Sequence, residues 1–267
     1  MKIVVVVQAR TGSSRLPNKI MMDLAGKPLL QRQLERIQSV KTEIKLVVAT
    51  TTDSSDDPVR KLCQELGIDC FSGHPTDLLD RHYQAARPYQ PDAVVKIPSD
   101  CPLIDPHIID KVLRFFIYSN GEYDFVSNLH PATWPDGNDV EVMTFPALET
   151  AWKEAKKDFE REHTTPFFWE NPDKFRIGNV IWTSGQDLSM SHRFTIDYPE
   201  DYDFIKAIYD ELCWPGSEIF GLDKILALLE EKPDLYLMNS KYAGVNWYRH
   251  HLDELKTISA EKTRFKA

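Results

Sequence analysis

Four consecutive valines, Val4 to Val7, constrain this chain more than any other stretch. A β-branched run without alternating polar residues suits a strand buried on both faces, as in the middle of a parallel sheet. The chain then changes character, continuing Gln8-Ala9-Arg10-Thr11-Gly12-Ser13-Ser14-Arg15-Leu16-Pro17-Asn18-Lys19. Arg10, Arg15 and Lys19 fall in this loop, and no acid interrupts them before Asp23. Gly12, Ser13 and Ser14 permit close backbone approach, and their N–H and O–H groups suit oxyanions. A cationic, donor-rich loop leaving a first strand is where an α/β protein holds a polyphosphate. Neither a Gly-Lys-Ser/Thr ending nor a G-x-G-x-x-G fingerprint is present, so the two familiar phosphate motifs are excluded. For one cation a solvated basic loop would be the simpler account; three on a Gly-Ser-Ser turn favour the phosphate site.

Downstream patterning repeats the strand–loop–helix rhythm. Leu29, Leu30, Leu34 and Ile37 have helical spacing, Lys45 to Thr50 reads as a strand, and Asp56 to Leu66 as a helix. Cys70 to Gly73 and Ala93 to Ile97 read as further strands, with a helix over Thr76 to Ala86 between them. This alternation predicts an α/β fold with a mainly parallel sheet flanked by helices. The middle predicts strands at Asp124 to Ser127 and Asp139 to Met143, and helices at Phe145 to Ala155 and Glu160 to Glu170. Further on it predicts a short strand at Phe194 to Ile196 and a helix at Tyr202 to Leu212. Trp214-Pro215-Gly216 breaks the pattern, dividing residues 1–212 from an extension, 213–267, with helices at Leu222 to Glu231 and Asn246 to Leu255.

A formal charge of −9 argues against a general nucleic-acid or anionic-membrane binder. An anionic substrate must be caught locally, as the first loop allows. Cys63, Cys70, Cys101 and Cys213 show no C-x-x-C pairing or disulfide-rich spacing, so a reduced cytoplasmic protein is expected. No apolar run approaches membrane-spanning length. The histidines form no zinc spacing, and no G-x-S-x-G elbow appears.

Asp100 follows a predicted buried strand in Ile97-Pro98-Ser99-Asp100-Cys101-Pro102. A carboxylate there is placed to hold Mg²⁺, which prefers oxygen ligands and substrate phosphates. Asp105, by contrast, precedes a proline and an apolar pattern and reads as a helix cap. Asp197, in Arg193-Phe194-Thr195-Ile196-Asp197-Tyr198-Pro199-Glu200-Asp201, again sits before a helix start, with Glu200 and Asp201 as its first-turn acids. Two carboxylates on separate strand ends facing a basic loop suit a metal-bridged triphosphate.

The segment from Gln8 to Lys19 resembles the signature of the cytidylyltransferases. The branch it is most similar to is the spore-coat polysaccharide biosynthesis protein F type, related to CMP-Kdo and CMP-sialic acid synthetases. The resemblance implies a Rossmann-like, nucleotide-diphospho-sugar-transferase (GT-A-like) fold. It also implies that Ala9, Arg10, Gly12, Ser13, Ser14, Arg15 and Lys19 wrap the triphosphate of CTP. Asn18 stands where Gly is usual, and Asn tolerates the left-handed conformation. By the same resemblance Asp100 and Asp197 are the Mg²⁺ ligands, although Ser99 and Tyr198 replace the usual Gly and Thr. Asp77-Leu78-Leu79-Asp80-Arg81 resembles the segment near the cytosine, giving Arg81 a base contact in place of an ordinary i,i+4 pair with Asp77. Thr51 and Asp53 are expected along the nucleoside pocket.

Asp139 and Glu141, together with Arg161 and His163, resemble acceptor-side groups. A solvated strand face and a satisfied buried histidine stand equally open. The implied reaction transfers CMP from CTP to an acidic sugar or related anionic acceptor, releasing pyrophosphate, in a homodimer. A nucleotide-sugar glycosyltransferase of the same fold, or a nucleotide-binding protein without turnover, are the alternatives. The first would not need three cations on the loop.

Overall fold

Val4 to Val7 lie inside the first strand, β1 (Ile3–Gln8), and all four are fully buried in the computed structural model, which describes residues 1–265. Each buried valine contributes roughly 1.5–3 kcal/mol of transfer free energy. After the basic loop come a two-residue hairpin, β2 (Asp23–Leu24) and β3 (Lys27–Pro28), and helix α1 (Leu29–Gln38). Strands and helices then alternate through β4 (Lys45–Thr51), α2 (Asp57–Leu66), β5 (Asp69–Gly73), α3 (Leu78–Ala86), β6 (Ala93–Pro98) and α4 (Pro106–Tyr118). The second part holds β7 (Phe125–Ser127), β8 (Glu141–Thr144), α5 (Phe145–Glu154), α6 (Asp158–His163), α7 (Pro166–Trp169) and β9 (Ile177–Asn179). Helices α8 (Pro199–Leu212), α9 (Leu222–Glu231) and α10 (Pro233–Leu237) follow.

The main sheet runs β5-β4-β1-β6-β8-β7-β9. β1 pairs in parallel with β4 and β6, β4 with β5, and β7 with β9, while β8 is antiparallel to both neighbours. A mixed, mainly parallel sheet is thus what the alternation predicted. Because side chains alternate across a strand, Ile3, Val5 and Val7 join a core with Leu34, Val59 and Leu113 on one face. Val4 and Val6 face the opposite core, with Leu79, Leu148 and Phe168. A third cluster, including Phe194, Phe204 and Ile225, packs α8 and α9 against Leu24 and Leu29. Asp105 caps α4 as expected, accepting from the His107 amide at 2.7 Å, and its other oxygen accepts from the Leu222 amide at 2.6 Å.

Four local expectations are corrected. The strand expected from Asp139 begins at Glu141, because Asn128 takes over the preceding backbone: its side chain donates to the Asn138 carbonyl and accepts from the Val140 amide. Phe194 to Ile196 forms no strand; it is an extended segment whose amides bond Asp136 and Asp100 carbonyls. The helix expected over Glu160 to Glu170 divides into α6 and α7 at Thr164, whose φ is 71°, just before Pro166. Over Asn246 to Leu255 only a short 3₁₀ turn, Trp247–His250, forms, capped by the Asn246 side chain.

Candidate active site

The basic loop leaves β1 where the carboxyl ends of the strands meet. Asn18 has φ 58° and ψ 17°, the left-handed geometry expected of it. A buried carboxylate fixes the loop from below. Asp56 accepts from the Thr11 amide (2.7 Å), the Thr11 hydroxyl (2.9 Å) and the Thr51 hydroxyl (2.5 Å). Burial acts to raise the Asp56 pKa, but these hydrogen bonds outweigh it and hold the carboxyl below its ordinary value. Thr51 therefore serves the loop's anchor. Asp53 caps the next turn by accepting from the Ser55 amide and stays exposed. Gly12, Ser14 and Arg15 have amides that donate to nothing among the described residues, and Arg10 is exposed there without an ion pair.

Lys19 turns inward. Its ammonium lies 2.7 Å from Asp100 and 3.3 Å from Asp197, and it also donates to the Ile196 carbonyl. Burial works to lower its pKa, but Asp100 and Asp197 outweigh that and raise it. Arg15 pairs with Asp197 at 2.5 Å. On the far side Arg193, 3% exposed, holds three carboxylates: Asp197 at 2.8 Å, Asp201 at 3.0 Å and Asp136 at 3.2 Å. Burial opposes ionisation of Asp197, yet Lys19, Arg15 and Arg193 together keep its pKa well below the usual range. Burial raises Asp136 to about 6 even beside Arg193.

Asp100, Asp197 and Arg15 border a chamber of about 850 Å³, which Asp136, Asp139, Glu141 and His163 also line. Lys96, on β6, pairs with Glu141 at 2.5 Å across the strand pair. The far wall comes from residues 244–262, including Trp247 and Tyr248. Trp247 stacks on His163 at 3.8 Å. This stretch is tied down by Glu170, which accepts from the Lys256 and Thr257 amides, and by Arg193, which donates to the Val245 carbonyl.

Two residues sit elsewhere than expected. Arg81 is 1% exposed and donates to Gln8 Oε1 (2.8 and 3.1 Å) and the His74 carbonyl, so it shapes the loop after β5 and does not line the chamber. Its pairing with Asp77 is also absent, since Arg161 takes Asp77 in a salt bridge joining α6 to α3. Arg161 is thereby held outside the chamber that His163 lines. Asp201 is the first-turn acid of α8, as expected, and is also fully buried, accepting from the Asp197 and Tyr198 amides. Sequence reasoning missed Asp56, Asp136 and Arg193 as site-forming groups. Arg193 stood inside the Asp197 segment, but nothing local marked it as the partner of three carboxylates.

A mainly parallel sheet, a basic loop leaving its first strand, and two carboxylates converging on that loop define a nucleotidyltransferase. The cytidylyltransferase family model matches residues 4–237, and the chain belongs to that family. It is 41% identical over 244 residues to an uncharacterized protein of Methanocaldococcus jannaschii, covering 90% of this chain and 95% of that one. It is 27% identical to the spore coat polysaccharide biosynthesis protein SpsF of Bacillus subtilis, covering 87% and 95%. Among solved structures, a cytidylyltransferase from Leptospira borgpetersenii superposes with a TM-score of 0.82 at 32% identity, covering 88% of this chain and 97% of that one.

Proposed function

We propose that this enzyme transfers CMP from CTP to an acidic sugar or related anionic acceptor, releasing pyrophosphate, as a step toward a polysaccharide precursor. An acceptor oxygen attacks the α-phosphorus of CTP; the bond from that phosphorus to the bridging oxygen breaks, and pyrophosphate leaves with the electron pair. Such a transfer depends mainly on positioning and charge neutralisation. Arg10, Arg15, Lys19 and the unpaired loop amides hold the triphosphate and stabilise the leaving pyrophosphate.

The observation that carries this reading is the Lys19 ammonium spanning Asp100 and Asp197, two carboxylates that line the chamber. Asp100 and Asp197, close enough to share one ammonium, would hold a Mg²⁺ ion, which prefers oxygen ligands. When bound, the ion neutralises phosphate charge. Arg249 and Lys262 line the chamber with no ion pair among the described residues, which supports an anionic group on the acceptor.

The test combines calorimetry of CTP binding, with and without Mg²⁺ and with UTP and a UDP-sugar as competitors, with pyrophosphate release during acceptor screening. Preference for CTP is expected, and Lys19→Met should lower pyrophosphate release by roughly 10²–10³-fold. Preference for the UDP-sugar, or unchanged release in Lys19→Met, would overturn the assignment.

A further inference from the structure

We propose that the Lys19 ammonium is a plug: it closes the Asp100–Asp197 pair to divalent cations until the triphosphate of the nucleotide draws it off, so that metal enters only with CTP. This deepens the CMP-transfer reading and rests on it. Gripping phosphate and sitting between the two carboxylates are duties that one ammonium cannot perform from one position. The structure holds Lys19 in the second of them.

Every oxygen of the carboxylate pair already faces a donor. On Asp197, Oδ1 accepts from Arg15 at 2.5 Å and from Lys19 at 3.3 Å, and Oδ2 accepts from Arg193 at 2.8 Å. On Asp100, Oδ2 accepts from Lys19 at 2.7 Å, and Oδ1 faces the Cys101 thiol at 3.6 Å. Among the described residues, no group of three or more His, Cys, Asp or Glu side chains is placed to hold a metal ion. A divalent cation approaching Asp100 Oδ2 and Asp197 Oδ1 would meet the ammonium that already bridges those atoms, and the two positive charges repel.

The three cations differ in what would release them. Arg15 has a side chain 46% exposed, so water can replace its contact with Asp197. Arg193 is buried and tied also to Asp136, Asp201 and the Val245 carbonyl, so it stays. Lys19 has a side chain only 10% exposed and donates to the Ile196 carbonyl as well, so an anion must compete for it. The chain places such an anion close by. The Asn18 amide donates to the Thr11 carbonyl at 2.9 Å, which folds the backbone before Lys19 against the start of the loop. The Gly12, Ser14 and Arg15 amides of that loop donate to nothing among the described residues. A phosphate on those amides offers new oxygens to a lysine on a flexible four-carbon stem.

The test titrates the full-length protein with Mn²⁺ in the absence of nucleotide, following loss of the free-ion signal by electron paramagnetic resonance. Lys19→Met is expected to bind Mn²⁺ roughly tenfold or more tighter than wild type. Adding Asp100→Asn to that variant should abolish the gain, which puts the ion on the carboxylate pair. Lys19→Gln, equally neutral but polar, is carried in parallel, and thermal melts identify which variants are folded. Equal Mn²⁺ affinity in wild type and a folded Lys19 variant, or a gain that survives Asp100→Asn, would overturn the plug. CTP binding to wild type is measured separately by calorimetry in EDTA. CTP binding without the gain in metal affinity refutes the plug alone; the gain without CTP binding refutes the nucleotide that is proposed to draw Lys19 off, and with it the release step.

Discussion

Replacing Arg193 with methionine removes a nearly buried cation from among Asp136, Asp197 and Asp201, together with its hydrogen bond to the Val245 carbonyl. The three acids are not equally exposed to the loss. Asp197 keeps Lys19 and Arg15, and Asp201 keeps Asn239 and two backbone amides. Asp136 loses its sole ion-pair partner among the described residues. The cost is therefore close to that of one broken buried pair, about 3–5 kcal/mol, and not three times that. With a urea dependence of about 2–3 kcal/mol/M, the midpoint should fall by roughly 1–2 M.

The pH dependence has a fixed sign. Asp136 has a native pKa raised by burial to about 6 with Arg193 in place, and higher without it. The native state then binds a proton that the unfolded state, near its ordinary carboxylate value, has released, so stability falls as pH rises through this window. Urea melts at pH 5 and pH 8 should show the deficit of Arg193→Met larger at pH 8. A deficit under about 1 kcal/mol, or one of equal size at both pH values, would refute the account of Arg193 as a buried counter-ion.

Three further substitutions test the loop and the close backbone contact at Gly137. Asp56→Ala removes the anchor of Thr11 and Thr51 and should cost about 2–4 kcal/mol while raising KM for CTP more than it lowers kcat. Because the native pKa of Asp56 is depressed, its contribution is present above the unfolded value and lost as pH falls through the native one, so wild type and variant should converge in acid melts. Gly137→Ala would place a Cβ 2.6 Å from the Phe194 carbonyl carbon at a φ of +99°, a backbone clash costing about 2–4 kcal/mol in thermal melts. Gly12→Ala, with open space and no positive φ, should stay within about 0.5 kcal/mol.

What could be read from the sequence was local in origin. The valine run specified a doubly buried strand, and the Gly-Ser-Ser stretch with its cations marked a loop leaving that strand, because both signals are carried by neighbouring residues. Asp100 and Asp197 were legible for the same reason, each at a recognisable element boundary. Misreadings arose where a distant side chain decides the outcome. Asn128 replaces the ladder before Glu141 from ten residues away or more. Arg81 turns to Gln8, and Asp77 to Arg161, across 73 and 84 residues. Arg193 gathers Asp136 from 57 residues upstream, a convergence that no periodicity encodes. The break at Thr164 is the exception, since Pro166 was visible and argued against an unbroken helix.

The wall formed by residues 244–262 adds no strand to the main sheet and is held by side chains such as Glu170 and Arg193. The groups proposed for the nucleotide lie chiefly before residue 101, at the ends of the parallel strands. On the proposed reading, choice of acceptor and handling of the nucleotide fall on separate stretches of the chain. On that reading, substitutions within residues 244–262 should change which acceptor is used and leave CTP binding as it is.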